Sequence, residues 1–329
     1  MSPPLLYLSA DAVYRALPMR EAIDAMRDAF ALLARGEVTL PMRLRLDAPS
    51  EHGAALVMPC HCTSYNLFST KVVTVFDKNA ERGLPAVQSI LILTDGCTGR
   101  SLAVMDGASL TAIRTGAASG LATDLLARLD AASVAVIGAG VQARTQLEAI
   151  CCVRAVQRAR VYDCRAEAAL RFADEMQQRF GISVEPAASP SEAMADAAVL
   201  CTATTSATPV FDDRDVRPGT HINAVGGFRP FTAEVPAATV CRARVVVDHY
   251  ASVLEEAGDL LAPLSAGLIG EQHLGTELGQ LVLGRKPGRR SADEVTLFKS
   301  VGVAVQDLCG AARALDSARQ LGLGTPLPT

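Results

Sequence analysis

Apolar residues recur along this chain with three different spacings, and each spacing predicts a different element. Between residues 11 and 34 they fall at Val13, Leu17, Ile23, Met26, Phe30 and Leu33. This is a helical period, broken at Pro18, restarted at Met19 and closed by Gly36. From Leu40 to about Met105 the pattern shortens into β-like segments at 43–46, 54–58, 67–76 and 87–94. Turn signals separate them at Asp47-Ala-Pro, Glu51-His-Gly, Asp77-Lys-Asn, Arg82-Gly-Leu-Pro and Asp95-Gly, so this part predicts a mixed or antiparallel sheet. Residues 111–129 form a small-residue helix. Residues 133–137, SVAVI, do not alternate at all, as suits a central parallel strand covered on both faces. Strand patterns at 159–162, 183–185, 198–202 and 243–248 then alternate with helical ones at 166–179 and 189–195, and an amphipathic helix at 301–321 ends the pattern. Such alternation predicts parallel strands joined by crossover helices.

The strand at 133–137 runs directly into Gly138-Ala-Gly140-Val-Gln-Ala143. In this G-x-G-x-x-A turn the glycines permit a tight bend and let a pyrophosphate approach backbone N–H groups at a helix start, while Ala143 lets helix and strand pack closely. The strand at 159–162 ends in Asp163, 25 residues after Gly138, near the spacing at which an acidic side chain meets an adenosine ribose. A carboxylate there accepts bonds from ribose hydroxyls and repels a 2′-phosphate. NAD(H) is therefore the preferred cofactor, and Arg165 two residues on keeps NADP(H) compatible.

At 329 residues and 50% hydrophobic content, the chain suggests two domains with substantial cores. Its formal net charge of −4 carries no basic footprint, so neither nucleic acid nor an anionic membrane is an expected partner. The opening residues lack a charged region followed by a long apolar one, and the expected location is cytoplasmic. Nine scattered cysteines without a C-x-x-C pair favour reduced thiols, and Cys60-His-Cys62 reads as ordinary packing or loop; no metal is expected.

Several stretches together resemble the ornithine cyclodeaminase and mu-crystallin family: Pro41-Met-Arg43, Ser69-Thr-Lys71-Val-Val-Thr, Leu102-Ala-Val-Met-Asp-Gly, Leu110-Thr-Ala-Ile-Arg114-Thr115, Gly138-Ala-Gly-Val-Gln142, His221-Ile-Asn-Ala-Val-Gly and Phe298-Lys-Ser-Val-Gly302. The resemblance implies an α/β protein in which a Rossmann-type doubly wound parallel sheet, residues 116–302, is inserted into a second, α+β substrate-binding and dimerisation domain, residues 1–115 plus 303–329. It also implies a homodimer that binds NAD(H) or NADP(H) and works at an amino-acid α-carbon through an imine.

By that resemblance Arg43, Lys71 and Arg114 match the positions that bind a substrate carboxylate, a job suited to charge-assisted clamps. Lys71 lies in an otherwise apolar segment, where partial burial would lower its pKa and let it act as the catalytic proton donor. Arg114, Thr115, Gly138, Gly140, Val141, Gln142, Asp163, Thr204, Asn223, Ala224, Val225 and Lys299 match the cofactor-binding positions, and Ser300 reads alternatively as a helix N-cap. One departure decides the expected activity. Ornithine cyclodeaminases carry an aspartate after the Gly-Gly that follows Asn-Ala-Val, whereas this chain reads Gly226-Gly-Phe228-Arg229-Pro230. A phenyl ring can neither stabilise a δ-ammonium nor accept its proton. The expectation is reduction of a cyclic ketimine, Δ1-pyrroline-2-carboxylate or Δ1-piperideine-2-carboxylate. The alternatives are ornithine cyclodeamination with Glu234 or Asp248 standing in for the aspartate, amino-acid dehydrogenation, and non-catalytic NAD(P)H binding.

Overall fold

The computed structural model describes residues 4–51 and 53–328, so the turn signal at Glu51-His-Gly lies partly outside the described residues. The chain divides into two compact units, one holding residues up to Arg114 together with those from Val303 onward, the other holding Thr115–Gly302. The first begins with strand β1 (Leu5–Leu8), helices α1 (Ala10–Ala16) and α2 (Met19–Arg35), and strands β2 (Val38–Thr39), β3 (Leu44–Ala48), β4 (Gly53–Cys62), β5 (Leu67–Phe76), β6 (Val87–Asp95) and β7 (Ser101–Asp106). Helix α3 (Gly107–Leu126) carries the chain across the boundary at Arg114. The second unit continues with β8 (Ser133–Ile137), α4 (Val141–Val153), β9 (Arg158–Tyr162), α5 (Ala166–Phe180), β10 (Ser183–Pro186), α6 (Pro190–Met194), β11 (Val199–Thr202), β12 (His221–Ala224), α7 (Ala237–Arg242), β13 (Arg244–Val247), α8 (Tyr250–Glu256), α9 (Gly258–Ser265), α10 (Leu278–Val282) and β14 (Thr296–Lys299). The chain returns to the first unit for α11 (Ala304–Leu321) and β15 (Thr325–Leu327).

The sheet of the first unit runs β15-β1-β7-β6-β5-β4-β2, with β3 also paired to β4. It is antiparallel except between β1 and β7. Alternation along β4 buries Ala54, Leu56, Met58, Cys60 and Cys62, the last four against α2 and α11 through Ala29, Leu32, Val305 and Leu308. Residues 60–62, expected as loop or packing, therefore continue the strand: the two thiols point inward, and His61 points outward to stack on Phe68 at 4.4 Å. Cross-strand register places Met58, Lys71, Leu91 and Met105 in one buried row, so a lysine occupies an otherwise apolar line of side chains.

Two helices, α3 and α11, have ends three or four residues away from the sequence expectation. Helix α3 starts earlier because Asp106 accepts the Ser109 N–H at 2.8 Å, and it ends at Leu126 because Arg154 and Arg289 take the carbonyls of Thr123, Ala127 and Leu126. Helix α11 starts at Ala304, since the N–H groups of Val301 and Gly302 both donate to Asp248 instead of opening the helix.

The second unit is a seven-stranded, wholly parallel sheet in the order β10-β9-β8-β11-β12-β14-β13. Val134 and Val136 pack on one side with Leu147, Ile150 and Phe172, while Ala135 and Ile137 pack on the other with Leu200, Ile222 and Leu297. Burial of both faces explains why the sequence of β8 does not alternate. The chain leaves β8 towards β9 and β10, then crosses back to β11, so successive crossovers diverge between β8 and β11. A crevice opens at the carboxyl ends of strands flanking such a switch point.

Candidate functional site

In the second unit a groove of about 610 Å³ lies at that switch point, lined by Gly138 and Gly140 after β8, Asp163 after β9, and Thr204 to Ser206 after β11. Its two glycines are there for different reasons. Gly138 has φ +97°, and a Cβ on it would lie 2.6 Å from the Ala203 carbonyl oxygen, so the turn itself demands glycine. Gly140 has φ −82°, open to any residue, and a Cβ there would meet nothing within 4 Å. That Cβ would fill space the fold does not use, at the start of α4, where no side chain caps the first N–H groups. A pyrophosphate fits this cradle in charge and approach. Val141, 63% exposed, and Gln142 form the first turn of α4 beside it.

Asp163 reaches back to this turn. Its Oδ2 accepts the Ala139 N–H and its Oδ1 the Arg165 N–H, each at 2.9 Å. Burial opposes its ionisation, but these two N–H groups and the Arg165 guanidinium hold its carboxyl below the usual range. Arg165 is exposed and lies 3.6 Å from Asp163.

Other expected cofactor positions are committed within the second unit. Asn223 and Ala224 are fully buried in β12, and Val225 follows them; Asn223 donates to Thr123 at 2.9 Å. Thr115 is buried, and its carbonyl accepts from Gln146 at 3.3 Å. The Lys299 ammonium has no exposed surface: it lies 2.6 Å from Asp259 and donates to the Gly227 carbonyl at 2.7 Å. Through these two contacts the Lys299 side chain, expected at the cofactor, anchors the loop after β12. Ser300 donates to Asp248 at 2.7 Å and caps no helix.

The two carboxylates considered as replacements for the missing aspartate are also occupied. Glu234 accepts from Thr202 Oγ1, from the Thr204 N–H and Oγ1, and from the N–H groups of Gly226 and Gly227. Asp248 accepts from Ser300, Val301, Gly302 and His249. Each braces a turn through three backbone N–H groups and at least one hydroxyl. Phe228 packs partly buried against the core, with the Arg229 guanidinium 5.7 Å from its ring centre.

The first unit brings two of the three expected cations, Lys71 and Arg114, onto one residue that the sequence did not single out, and the third, Arg43, acts on Lys71. Asp307, on α11, lies 2.7 Å from the Lys71 ammonium through Oδ2 and 3.1 Å from the Arg114 guanidinium through Oδ1. Gln306 accepts a second Arg114 N–H at 3.0 Å, and Lys71 donates to Thr111 at 3.3 Å. Lys71, Arg114 and Asp307 are all buried, while Arg43 is half-buried one residue ahead of β3, off the strand on which it was expected. Burial pulls the Lys71 pKa down from 10.5 to about 8; Asp307 works against this, and Arg114 and Arg43 work with it. Burial by itself would raise the Asp307 pKa, but Lys71 and Arg114 hold it below the usual range. Two cations share one carboxylate and Arg43 adds a third positive charge at Lys71, which leaves surplus positive charge, the condition for binding an anion, and Lys71 can donate a proton near neutral pH. One signal was available in the sequence: Lys71, Lys78, Lys286 and Lys299 are the only lysines among 31 basic residues, and two of the four are buried against aspartates.

Residues 6–321 match the ornithine cyclodeaminase/mu-crystallin family. A Δ1-pyrroline-2-carboxylate reductase from Bacillus cereus is 38% identical over 321 residues, covering 97% of this chain and 98% of that protein. The structure of Thermococcus litoralis Δ1-pyrroline-2-carboxylate reductase in complex with NADH and L-proline aligns with a TM-score of 0.95 at 40% identity, covering 98% of this chain and 100% of that one. An archaeal alanine dehydrogenase dimer with bound NAD aligns with a TM-score of 0.92 at 34% identity, covering 99% of each chain. A match over nearly the whole sequence, to relatives more than a third identical along their full lengths, shows that the chain belongs to the ornithine cyclodeaminase/mu-crystallin family.

Proposed function

We propose that this protein reduces a cyclic ketimine, Δ1-pyrroline-2-carboxylate or its six-membered homologue, to the cyclic amino acid, using NADH in preference to NADPH. The observation that carries the reading is the buried cluster of Lys71 and Arg114 on Asp307, with the half-buried Arg43 adding its charge at Lys71, which offers an anion clamp and a proton donor together. Arg43 and Arg114 hold the substrate carboxylate, and Lys71 passes a proton to the ring nitrogen as the C=N bond becomes CH–NH. The bound nicotinamide cofactor supplies the hydride; the chain's own contribution is orientation and charge. Asp163 supports the choice of NADH, as does the NADH bound by the Thermococcus relative. Phe228, with Glu234 and Asp248 spent on turns, speaks against ornithine cyclodeamination.

The same reading includes a homodimer. The outer face of the first unit's sheet exposes Leu44, Leu46, Phe68, Ile90 and Ile92 in adjoining rows, an apolar patch suited to a second copy of this chain, and the archaeal alanine dehydrogenase relative is a dimer. Nine free thiols suit the reducing cytoplasm.

The test is to follow NADH and NADPH oxidation with each ketimine, alongside ammonia release from L-ornithine with NAD. Ketimine-dependent oxidation of NADH without ornithine turnover is the expected result. Ammonia and proline formed from ornithine without net cofactor consumption would make the protein a cyclodeaminase instead.

A further inference from the structure

We infer that Asp307 is a positioning residue for this chemistry: its two oxygens separately hold the Lys71 ammonium and the Arg114 guanidinium, so that one carboxylate aims the anion clamp and keeps the proton donor charged. The inference rests on the reading of Lys71 and Arg114 given above and extends it to a residue on a different element.

Packing does not require an acid at this place. The neighbouring inward positions of α11 are Ala304, Val305, Leu308, Cys309, Ala311 and Ala312, a stripe of small and apolar side chains. A carboxylate in that stripe is costly to bury unless it is paired. Asp307 is paired twice over, on separate oxygens, with cations from β5 and α3 that are remote from it in sequence. The preceding residue completes the arrangement. Gln306 Oε1 accepts from both Arg114 Nη1 and the Val303 N–H, which ties the guanidinium to the start of α11 through two adjacent side chains.

The groups around Lys71 fix the sign of the effect. Arg114, on α3, and Arg43, ahead of β3, oppose its charge; Thr111, on α3, accepts a bond from it and is neutral. The thiols of Cys60, on β4, and Cys309, on α11, are held protonated by burial, Cys60 with its pKa pushed up to about 12. Among the described residues Asp307 is the carboxylate paired with Lys71. Removing its charge would leave the lysine buried beside guanidinium groups alone, and the ammonium would give up its proton at lower pH. Asp307 touches neither the reacting bond nor the cofactor in this scheme; it acts through Lys71 and Arg114.

Asp307→Asn tests this, because it keeps shape and one oxygen acceptor while removing the charge. The expected result is a kcat for the ketimine lowered on the order of 10- to 100-fold at pH 8, with the alkaline limb of the pH profile moved to lower pH and NADH affinity within about twofold of wild type. Asp307→Glu, which restores the charge, should return the limb towards its original position. A second readout needs no turnover. With only four lysines in the chain, 13C-lysine labelling and a Lys71→Arg control identify the Lys71 signal, whose titration should move down by about one pH unit or more in Asp307→Asn. An unshifted Lys71 titration, or an unshifted pH profile with only stability lost, would overturn the inference. If Asp307→Asn fails to fold, the Asp307→Glu profile decides, and one displaced as far as a neutral side chain would require counts against it. Failure of the functional reading looks different: the wild type would not turn over ketimines, yet Lys71 would still titrate under the control of Asp307.

Discussion

Lys299 and Asp259 form an ion pair of 2.6 Å with neither side chain exposed to solvent, and between them they fix the loop that follows β12. Lys299 holds the Gly227 carbonyl, and Asp259 accepts the N–H groups of Glu234 and Val235, so both ends of the Phe228-Arg229-Pro230 loop are fastened to buried charges. Removing one partner of such a pair strands the other without compensation, at a cost of about 3–5 kcal/mol. Lys299→Met should therefore lower unfolding stability by that order in urea titrations. A second change, Asp259→Asn, should recover part of the loss by deleting the stranded charge. If the single variant costs less than about 1 kcal/mol, water or rearrangement satisfies Asp259 and the loop is not held in this way.

The two glycines of the β8–α4 turn make opposite predictions. Gly138→Ala places a side chain at φ +97° and 2.6 Å from a backbone oxygen, so it should lower stability by at least about 1–2 kcal/mol whether or not a cofactor is present. Gly140→Ala adds its methyl to open space at an ordinary φ and should leave stability within about 0.5 kcal/mol. Its effect should fall on NADH affinity, weakened on the order of tenfold or more, or about 1.4 kcal/mol. Urea titration and NADH fluorescence on both variants separate the two roles. A Gly140→Ala protein that binds NADH like wild type would move the pyrophosphate away from this turn.

The strand, glycine turn, helix start and Asp163 were legible in the sequence because each rests on local chemistry. A buried β-branched run, a positive-φ glycine and a strand-end carboxylate at a set spacing need no knowledge of distant residues. The doubly wound class followed from the alternation of such units. Asp307, Asp259 and Lys299 were not legible as partners, since a buried ion pair acquires meaning only when the fold brings the two residues together. Lys71 was read as partly buried from its apolar neighbours, but the residue controlling its charge lies on a helix read only for its amphipathic period. Strand β14 escaped for a related reason: its four residues, TLFK, are few and end in a lysine whose burial depends on Asp259, remote in sequence.

Asp163 carries a prediction about cofactor choice. Asp163→Ala removes the proposed ribose acceptor and also the bond to the Ala139 N–H, so both NADH and NADPH should lose some affinity through the loosened turn. The 2′-hydroxyl contribution belongs to NADH alone, and a charge-assisted hydrogen bond is worth about 1.5–3 kcal/mol. NADH affinity should therefore fall about tenfold or more beyond that of NADPH in fluorescence titrations. Equal losses would reduce Asp163 to a brace for the glycine turn.

Arg114→Ala gives the strongest check on the cation cluster, because two of its effects have defined signs. Loss of the guanidinium removes the proposed anchor for the substrate carboxylate, worth about 1.5–3 kcal/mol, so kcat/KM for the ketimine should fall roughly 10- to 100-fold while NADH affinity holds. The second effect is on pH. Arg114 lies against Asp307 beside Lys71 and lowers the lysine's pKa, which stands at about 8. In the proposed role Lys71 serves in its protonated form, so activity should decline as pH rises through that value. Without the Arg114 charge the Lys71 ammonium is easier to keep, and the alkaline limb of the kcat profile should move to higher pH, opposite to the shift expected for Asp307→Asn. Rate profiles of the two variants against wild type decide the matter. Opposite displacements support a single electrostatic cluster built on Lys71, whereas an unchanged kcat/KM in Arg114→Ala would take that residue out of the site.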